Sequence, residues 1–393
     1  METKEETERF RPREIGEPGG KQPWIAWVTS VDLDGDGALD VLACEAQENR
    51  VLWLRQVASG DFEERVLTAD VKAPVQVEAF DVDGDGDLDV MIACMGAVFP
   101  NNDRIGAVVV LENRGAEGFL QRTILDNTSR VTAVKAADVN GDGRPDLVLA
   151  QFGYDQGEVR WLEQVGPWQF RPHTLLELSG AITVSLADFD GDGRLDIAAQ
   201  MSQQWEEIYL FSNRGAGRFE RSRIWASANE DYGCSGMTVA DLNRDGRPDL
   251  VFANGDGFGP AVIPGPRPYH GVQWLENRGN GLFVYRRIGD MAGAYNPIVL
   301  DLDRDGELDV VAVAAFVETD ARQRPVPSLV WFRQQADGSF EKRILAYSPR
   351  HLVAVAAGEF GTEKEWSLVT AGFHVFKPAE AGGRITFWER SSP

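Results

Sequence analysis

A nine-residue acidic phrase recurs six times along the chain, flanked each time by short apolar, β-rich segments. Its fullest copy is Asp81-Val-Asp-Gly-Asp-Gly-Asp-Leu-Asp89, with carboxylates at positions 1, 3, 5 and 9, glycines at 4 and 6, and an apolar residue at 8. The other copies carry their side-chain oxygens on Asp32, Asp34, Asp36 and Asp40, on Asp138, Asn140, Asp142 and Asp146, and on Asp188, Asp190, Asp192 and Asp196. Two more use Asp241, Asn243, Asp245 and Asp249, then Asp301, Asp303, Asp305 and Asp309. Hard cations such as Ca²⁺ take six to eight oxygens, and a glycine at position 6 lets such a loop turn sharply. A main-chain carbonyl at position 7 (Ala38, Asp87, Arg144, Arg194, Arg247 or Glu307) completes the expected set. Six structural Ca²⁺ sites are therefore expected. An EF-hand is excluded, because its last ligand stands at position 12 and its loop lies between helices.

The first ligands fall 49 to 60 residues apart. A seventh, degenerate copy at Glu359–Ser367 has lost the carboxylates at positions 3 and 9, so no ion is expected there. Self-similarity near this period signals a propeller, a solenoid or an array. A second phrase follows each loop, as in Val51-Leu-Trp-Leu-Arg55 and Val272-Gln-Trp-Leu-Glu276, and then an outer strand opening on Phe, as from Phe62 to Leu67. Four strands per repeat and seven repeats describe an all-β, seven-bladed β-propeller spanning 1–393 as one domain. The last repeat lacks its outer strand, and Arg9-Phe-Arg-Pro-Arg-Glu-Ile15 matches Gln169-Phe-Arg-Pro-His-Thr-Leu175. The N-terminal strand should therefore close the ring and hide an exposed sheet edge. Trp53, Trp161, Trp274, Trp331 and Trp388 share one strand position and should be inter-blade core, whereas Trp24 and Trp205 stand outside that register.

These residues resemble the FG-GAP/VCBS repeat family, the calcium-binding propeller repeats also found in integrin α-subunit heads. The resemblance covers nearly the whole chain. The Phe-Gly and Gly-Ala-Pro phrases of the integrin version are largely absent, Phe258-Gly-Pro260 being a vestige, which argues against an integrin-like adhesive role. The resemblance implies a functionally broad group: adhesion modules, lectins, polysaccharide lyases and a sugar dehydratase. Fold does not give function by itself.

The net charge of −23 leaves nothing basic to neutralise phosphates, which excludes nucleic acid as a partner. Six Ca²⁺ ions would bring the charge to −11, so metal ligation accounts for much of the acidity. Cys44, Cys94 and Cys234 are too few and too scattered for a disulfide framework. No apolar run is long enough to span a membrane, and a monomer is expected. Open loops of this type bind at the weak, extracellular end of the Ca²⁺ range. A secreted or periplasmic protein whose leader lies outside this chain is thus the expectation, with a cytoplasmic location as the alternative.

Strand alternation puts all acidic loops on one rim. Long insertions crowd the other: 95–106, 254–271, 316–328 and 372–383. Long loops in compact domains tend to carry function, and the second carries four prolines that stiffen it. Three of the four histidines, His270, His351 and His374, map to this rim beside Tyr269, Asp256, Arg130, Tyr232, Tyr295 and Trp24. His270, His351, Tyr295 and Tyr269 are the candidate catalytic residues, since histidine and tyrosine beside carboxylates perform general acid–base work. Asp256, Arg130, Tyr232, Trp24 and His374 are the candidate ligand-binding residues. The alternative is that these side chains cap strands and pack loops. The expected function is binding of a ligand, carbohydrate or protein, on the insertion-rich rim; an enzyme of carbohydrate β-elimination or dehydration is the competing reading.

Calcium at about five times its dissociation constant stabilises a site by about 1 kcal/mol. Excess EGTA should therefore lower the melting temperature by several degrees, and an unchanged value would count against bound calcium.

Overall fold

The computed structural model describes residues 10–18, 22–58, 60–203, 205–257, 267–315, 324–361, 365–375 and 383–390. Strand β1 (Phe10–Glu14) stands apart from its sequence neighbours. Blade one is β2 (Ile25–Val31), β3 (Asp40–Glu45), β4 (Arg50–Ala58) and β5 (Asp61–Thr68). Blade two is β6 (Pro74–Phe80), β7 (Asp89–Cys94), β8 (Gly106–Asn113) and β9 (Phe119–Thr128). Blade three is β10 (Val131–Ala137), β11 (Asp146–Gln151), β12 (Glu158–Gly166) and β13 (Gln169–Glu177). Blade four is β14 (Ala181–Ala187), β15 (Asp196–Met201), β16 (Glu207–Asn213) and β17 (Phe219–Ala226). Blade five is β18 (Cys234–Ala240), β19 (Asp249–Asn254), β20 (Gly271–Asn277) and β21 (Phe283–Asp290). Blade six is β22 (Ala294–Leu300), β23 (Asp309–Ala314), β24 (Leu329–Gln334) and β25 (Phe340–Ala346). Blade seven is β26 (Leu352–Gly358), β27 (Ser367–Gly372) and β28 (Ile385–Arg390), completed by β1.

The closing strand pairs antiparallel with β28 from Phe10 opposite Arg390 to Glu14 opposite Thr386, as the split repeat predicts. Second strands such as β3 and β7 are buried along their whole length and, apart from their terminal carboxylates, read as apolar runs, because both their faces are covered. Outer strands are half-buried or exposed along most of their length. First strands of neighbouring blades touch all the way round and so line the central axis. In every blade the first strand slips register near its start, a bulge that re-aims the side chains there.

Seven apolar clusters form, one between each pair of adjacent blades. The recurrent tryptophans all lie in them, Trp331 and Trp388 at 1% exposure, so they are core and not a sugar platform. Polar residues at the end of the third strand add a latch. Gln164, Asn213, Asn277 and Arg390 each donate to the position-2 carbonyl of the preceding blade's acidic loop: Val82, Val139, Phe189 and Leu302.

The seam between blades seven and one has an ionic lock. Arg384, 5% exposed, donates to Glu64 at 2.6 and 3.0 Å, to Glu45 at 3.2 Å, and to the Glu17 carbonyl. Burial pushes the Glu64 carboxyl up, but Arg384 holds it below the usual range. Removing one partner of a buried ion network leaves uncompensated charge, at a cost of about 3–5 kcal/mol. Arg384→Met should lower stability by that amount in urea unfolding. A loss under about 1 kcal/mol would mean that apolar packing alone holds the seam.

Candidate functional site

The six acidic loops fold alike because position 1 organises them. Both oxygens of Asp81 accept main-chain N–H groups, from Gly84, Asp85 and Gly86 at 2.8–3.1 Å. Gly84 and Gly86 sit at φ +80° and +98°, which only glycine adopts freely. Loops five and six place Arg244 and Arg304 at position 4 in the same left-handed region, at some cost in strain. Position 9 is the deepest member, at 0% exposure in all six copies. Its Oδ2 accepts the position-2 N–H and its Oδ1 accepts an N–H from the third strand, as Asp196 does from Phe189 at 3.0 Å and Asn213 at 2.7 Å.

Carboxylate oxygens converge within 4.8 Å for Asp32, Asp34 and Asp36, for Asp81, Asp83 and Asp85, for Asp188, Asp190 and Asp196, and for Asp301, Asp303 and Asp309. In the loops carrying Asn140 and Asn243, the amide at position 3 donates to the position-5 carboxylate. Oδ1 atoms of Asp190, Asp301 and Asp303 are buried with no hydrogen-bond partner. Bare, converging carboxylate oxygens fit a hard cation, which would supply the missing positive charge. Arginine supplies part of it locally. Arg55 bridges Asp34 and Asp36, Arg333 bridges Asp303 and Asp305, and the position-7 arginines Arg144, Arg194 and Arg247 pair with position 5. Loop two has Asp87 at position 7 and Glu112 nearby, and burial together with Asp85 and Glu112 raises Asp83. In the degenerate loop, Glu359 pairs with Arg304 at 2.7 Å; residues 362–364 lie outside the described set.

On the opposite rim a second ring of equivalent positions lies just before each first strand: Trp24, Ala73, Arg130, Gly180, Gly233, Gly293 and His351. Each carbonyl accepts an N–H from the residue after the second strand, at 2.7–3.0 Å. Four blades use Ala or Gly here, and His351 takes a left-handed φ of 58° where three blades use glycine. Three blades thus present large side chains of different chemistry at the mouth of the channel. Trp24 packs on Phe99 and Phe373, with ring centroids 5.8 and 5.9 Å away. Arg130 is 2% exposed, lies over Phe152 at 4.9 Å and donates to the Val98 carbonyl at 3.1 Å. His351 is buried beside His374, 5.4 Å between rings. Trp24, Arg130 and His351 are therefore equivalents, which no local motif reveals.

His270 lies deeper than a solvent-facing residue. It is 2% exposed, and its Nδ1 accepts N–H groups from Gly293 at 3.3 Å and Arg267 at 3.4 Å. Burial, then Arg267 and Arg287, lower it to about 4, so the ring is neutral. Tyr269 donates its hydroxyl to the Asp231 carbonyl at 2.7 Å and stacks on Tyr232, which is 9% exposed in the blade-four to blade-five core. His374 is fully buried and donates its N–H to the Pro23 carbonyl. Asp256 donates its N–H to the Gly233 carbonyl, and Tyr295 occupies the blade-six bulge. Much of three insertions (258–266, including Phe258-Gly-Pro260, then 316–323 and 376–382) lies outside the described residues.

Sequence reading misses Glu206. It is 3% exposed, accepts the Cys234 N–H at 2.9 Å, and burial pushes its carboxyl up to about 7. Asp256 acts electrostatically on Glu206 and, together with Glu206, on Tyr295, whose hydroxyl is held well above its usual range chiefly by burial. Exposed aromatics mark the same rim: Phe99 at 56%, Tyr154 at 37% and Trp205 at 48%. Asn102 and Asp155 tie the first two of these loops together.

Fold and loops together define a seven-bladed propeller carrying acidic cation-type loops on one rim. Residues 32–92, 138–199 and 201–252 match the family model of the FG-GAP-like repeat, and the chain is an FG-GAP-like propeller. It is 21% identical over 273 residues to the T-cell immunomodulatory protein homolog of Plasmodium falciparum (isolate 3D7), covering 59% of this chain and 36% of that protein. It is 29% identical over 170 residues to integrin alpha-6 of Gallus gallus, covering 37% of this chain and 14% of the integrin. The matched part is thus well under half of either relative. Crystal structures of BBS1N in complex with ARL6DN, soaked with lead and with mercury, superpose with TM-scores of 0.55 and 0.57 at 9% identity. The first covers 98% of this chain and 96% of that one, the second 95% and 94%. That likeness is one of fold. Among the described residues no helix is long and apolar enough to cross a membrane.

Burial raises Asp89, Asp196, Asp249 and Asp309 to about 6 in the metal-free ring. A carboxyl raised on folding takes up its proton before the unfolded chain does, near pH 3.9. Chelated protein should therefore gain stability as pH falls from 7 to about 5, and a loss over that window would overturn the assignment. Calcium-loaded protein should show the opposite sign, because ligation requires deprotonated carboxylates.

Proposed function

We propose that this chain is a calcium-stabilised, extracytoplasmic propeller that binds a carbohydrate ligand at the insertion-rich mouth, without catalysis. The observation that carries the reading is the break in symmetry at that mouth. A ring that is Ala or Gly in four blades carries Trp24, Arg130 and His351 in the other three. Around it stand Phe99, Tyr154 and Trp205, exposed aromatic faces of the kind on which sugar rings stack. The acidic loops repeat the same geometry in six blades, so they serve the scaffold; the ligand belongs where the blades differ. Their weak, oxygen-rich design suits millimolar calcium outside the cytoplasm. The curated relatives' names, an integrin alpha subunit and a T-cell immunomodulatory protein homolog, support a protein that meets its ligand extracellularly.

One observation favours the catalytic alternative. Glu206, near neutrality, lies within electrostatic reach of Asp256 and Tyr295, an acid–base set of the kind β-elimination needs. In that reading Glu206 and Tyr295, with His351 at the mouth, take the role first assigned to His270, whose ring is already engaged by main-chain N–H groups.

The test is a glycan array in 2 mM calcium with wild type, Phe99→Ala and Trp205→Ala. Binding that falls about fivefold in either variant, with an unchanged melting temperature, supports the reading, since one stacked aromatic is worth on the order of 1 kcal/mol. Retention of protein ligands alone would replace carbohydrate by protein as the ligand class. Release of an unsaturated sugar, detected by ultraviolet absorbance and abolished in Glu206→Gln, would establish the enzyme instead.

A further inference from the structure

Arg130 carries a positive charge that the protein leaves uncompensated. The residue is 2% exposed, and only one of its nitrogens is used: Nη1 donates to the Val98 carbonyl at 3.1 Å. Nε and Nη2 are buried and have no partner. The guanidinium lies over the Phe152 ring at 4.9 Å, and among the described residues it makes no ion pair. Burial pulls it down to about 10, and the only group favouring its charged form is the weakly placed Tyr154. A buried guanidinium keeps its proton, so the missing interaction must come from another source or stand as a cost.

The stereochemistry of the unpaired edge is specific. Nε–H and one N–H of Nη2 share an edge of the planar guanidinium and point in parallel, forming the fork that accepts two oxygens of one carboxylate. The Val98 carbonyl uses the remaining nitrogen, and the guanidinium carbon lies over the Phe152 ring. Val98 also belongs to the apolar cluster at the channel mouth, with Trp24, Phe373 and Tyr295. Arg130 stands just before the first strand of blade three, and its guanidinium lies between the loop segments of Val98 and Phe152, which carry Phe99 and Tyr154. A chain of net charge −23 repels anions at long range, so attraction here is local and short.

We propose that the ligand at this mouth is an acidic saccharide whose carboxylate docks on the Nε–Nη2 edge of Arg130. This rests on the carbohydrate reading above and narrows it: the aromatic loops take the sugar faces, and Arg130 selects sugars bearing a carboxylate over neutral ones. The guanidinium stays buried and unpaired in the free protein because the ligand completes the pair. Its cost in stability is accepted for function.

Wild type, Arg130→Met and Arg130→Lys are compared, all in 2 mM calcium at constant ionic strength. The first readout is melting temperature with sodium chloride or sodium acetate. Acetate should raise that of wild type and leave both variants unmoved, because Met has no donor and Lys has no fork. Arg130→Met without acetate should melt no lower than wild type, since replacing an unpaired buried charge by an apolar side chain of similar length relieves desolvation. A lower melting temperature for Arg130→Met, or no acetate response in wild type, overturns the proposal and makes Arg130 a strut for the Val98 loop. The second readout is calorimetric binding of oligoglucuronate, a neutral oligoglucose and polyglutamate. Oligoglucuronate should bind wild type and lose about tenfold or more in both variants, the worth of charged hydrogen bonds. Equal binding of the neutral oligosaccharide overturns this inference but leaves the carbohydrate reading intact. Binding of polyglutamate alone overturns the saccharide as source of the carboxylate, and the carbohydrate reading with it.

Discussion

The buried carboxylate at position 9 is the interaction on which the rest of this structure depends. Each copy accepts one N–H from its own loop and one from the third strand of its blade, as Asp249 does from Leu242 at 3.1 Å and Asn277 at 2.7 Å. It therefore fixes both the acidic loop and the third strand, which carries the inter-blade tryptophan in blades one, three, five and six. Asn277 extends the connection by donating to Phe189 in the previous blade's loop. One motif thus organises a turn, a blade and the contact between blades. Carboxylates packed this closely repel one another, and the same crowding that makes them a cation site makes the ring depend on counter-charge. Arginines provide that charge unevenly: Arg55 and Arg333 each reach two carboxylates, whereas loop two faces Glu112 instead.

Closure raises a different physical problem. A ring of seven sheets must join its ends, and the seam has no covalent continuity through the sheet. Three layers hold it: the ladder of β1 on β28, the apolar cluster joining Ile15, Leu54 and Phe387, and the buried Arg384 with Glu45 and Glu64. Apolar contact supplies most of the energy, since it scales with buried area. The ionic lock adds a buried network whose breaking would leave uncompensated charge.

Symmetry in the scaffold makes the exceptions legible. Where seven blades share one backbone hydrogen bond at the channel mouth, the side chains are free to differ, and they differ most at Trp24, Arg130 and His351. The bulges in the first strands widen at blades five and six, where Gly236 and Asn296 take positive φ, and they bring Tyr295 towards Glu206 and Asp256. At this mouth Arg130 belongs to blade three, whereas Glu206 and Asp256 belong to blades four and five.

Local sequence was enough to determine whatever repeats. The acidic phrase, the Trp phrase and the Phe strand each encode their structure within a few residues, so blade number, strand count and the closing role of Phe10–Glu14 could be read directly. The burial of Trp331 and Trp388 could be read too, since a residue at one register position in every blade faces the same neighbour. What the sequence did not reveal is what depends on distant partners. Glu206 reads as an ordinary surface glutamate until the fold seals it against Cys234, and His270 reads as a loop-end histidine until Gly293 arrives from the next blade. Arg384 shows no partner in sequence because Glu45 and Glu64 lie more than three hundred residues away. Burial and pairing of charge are set by contacts across the ring, and only the tertiary structure decides them.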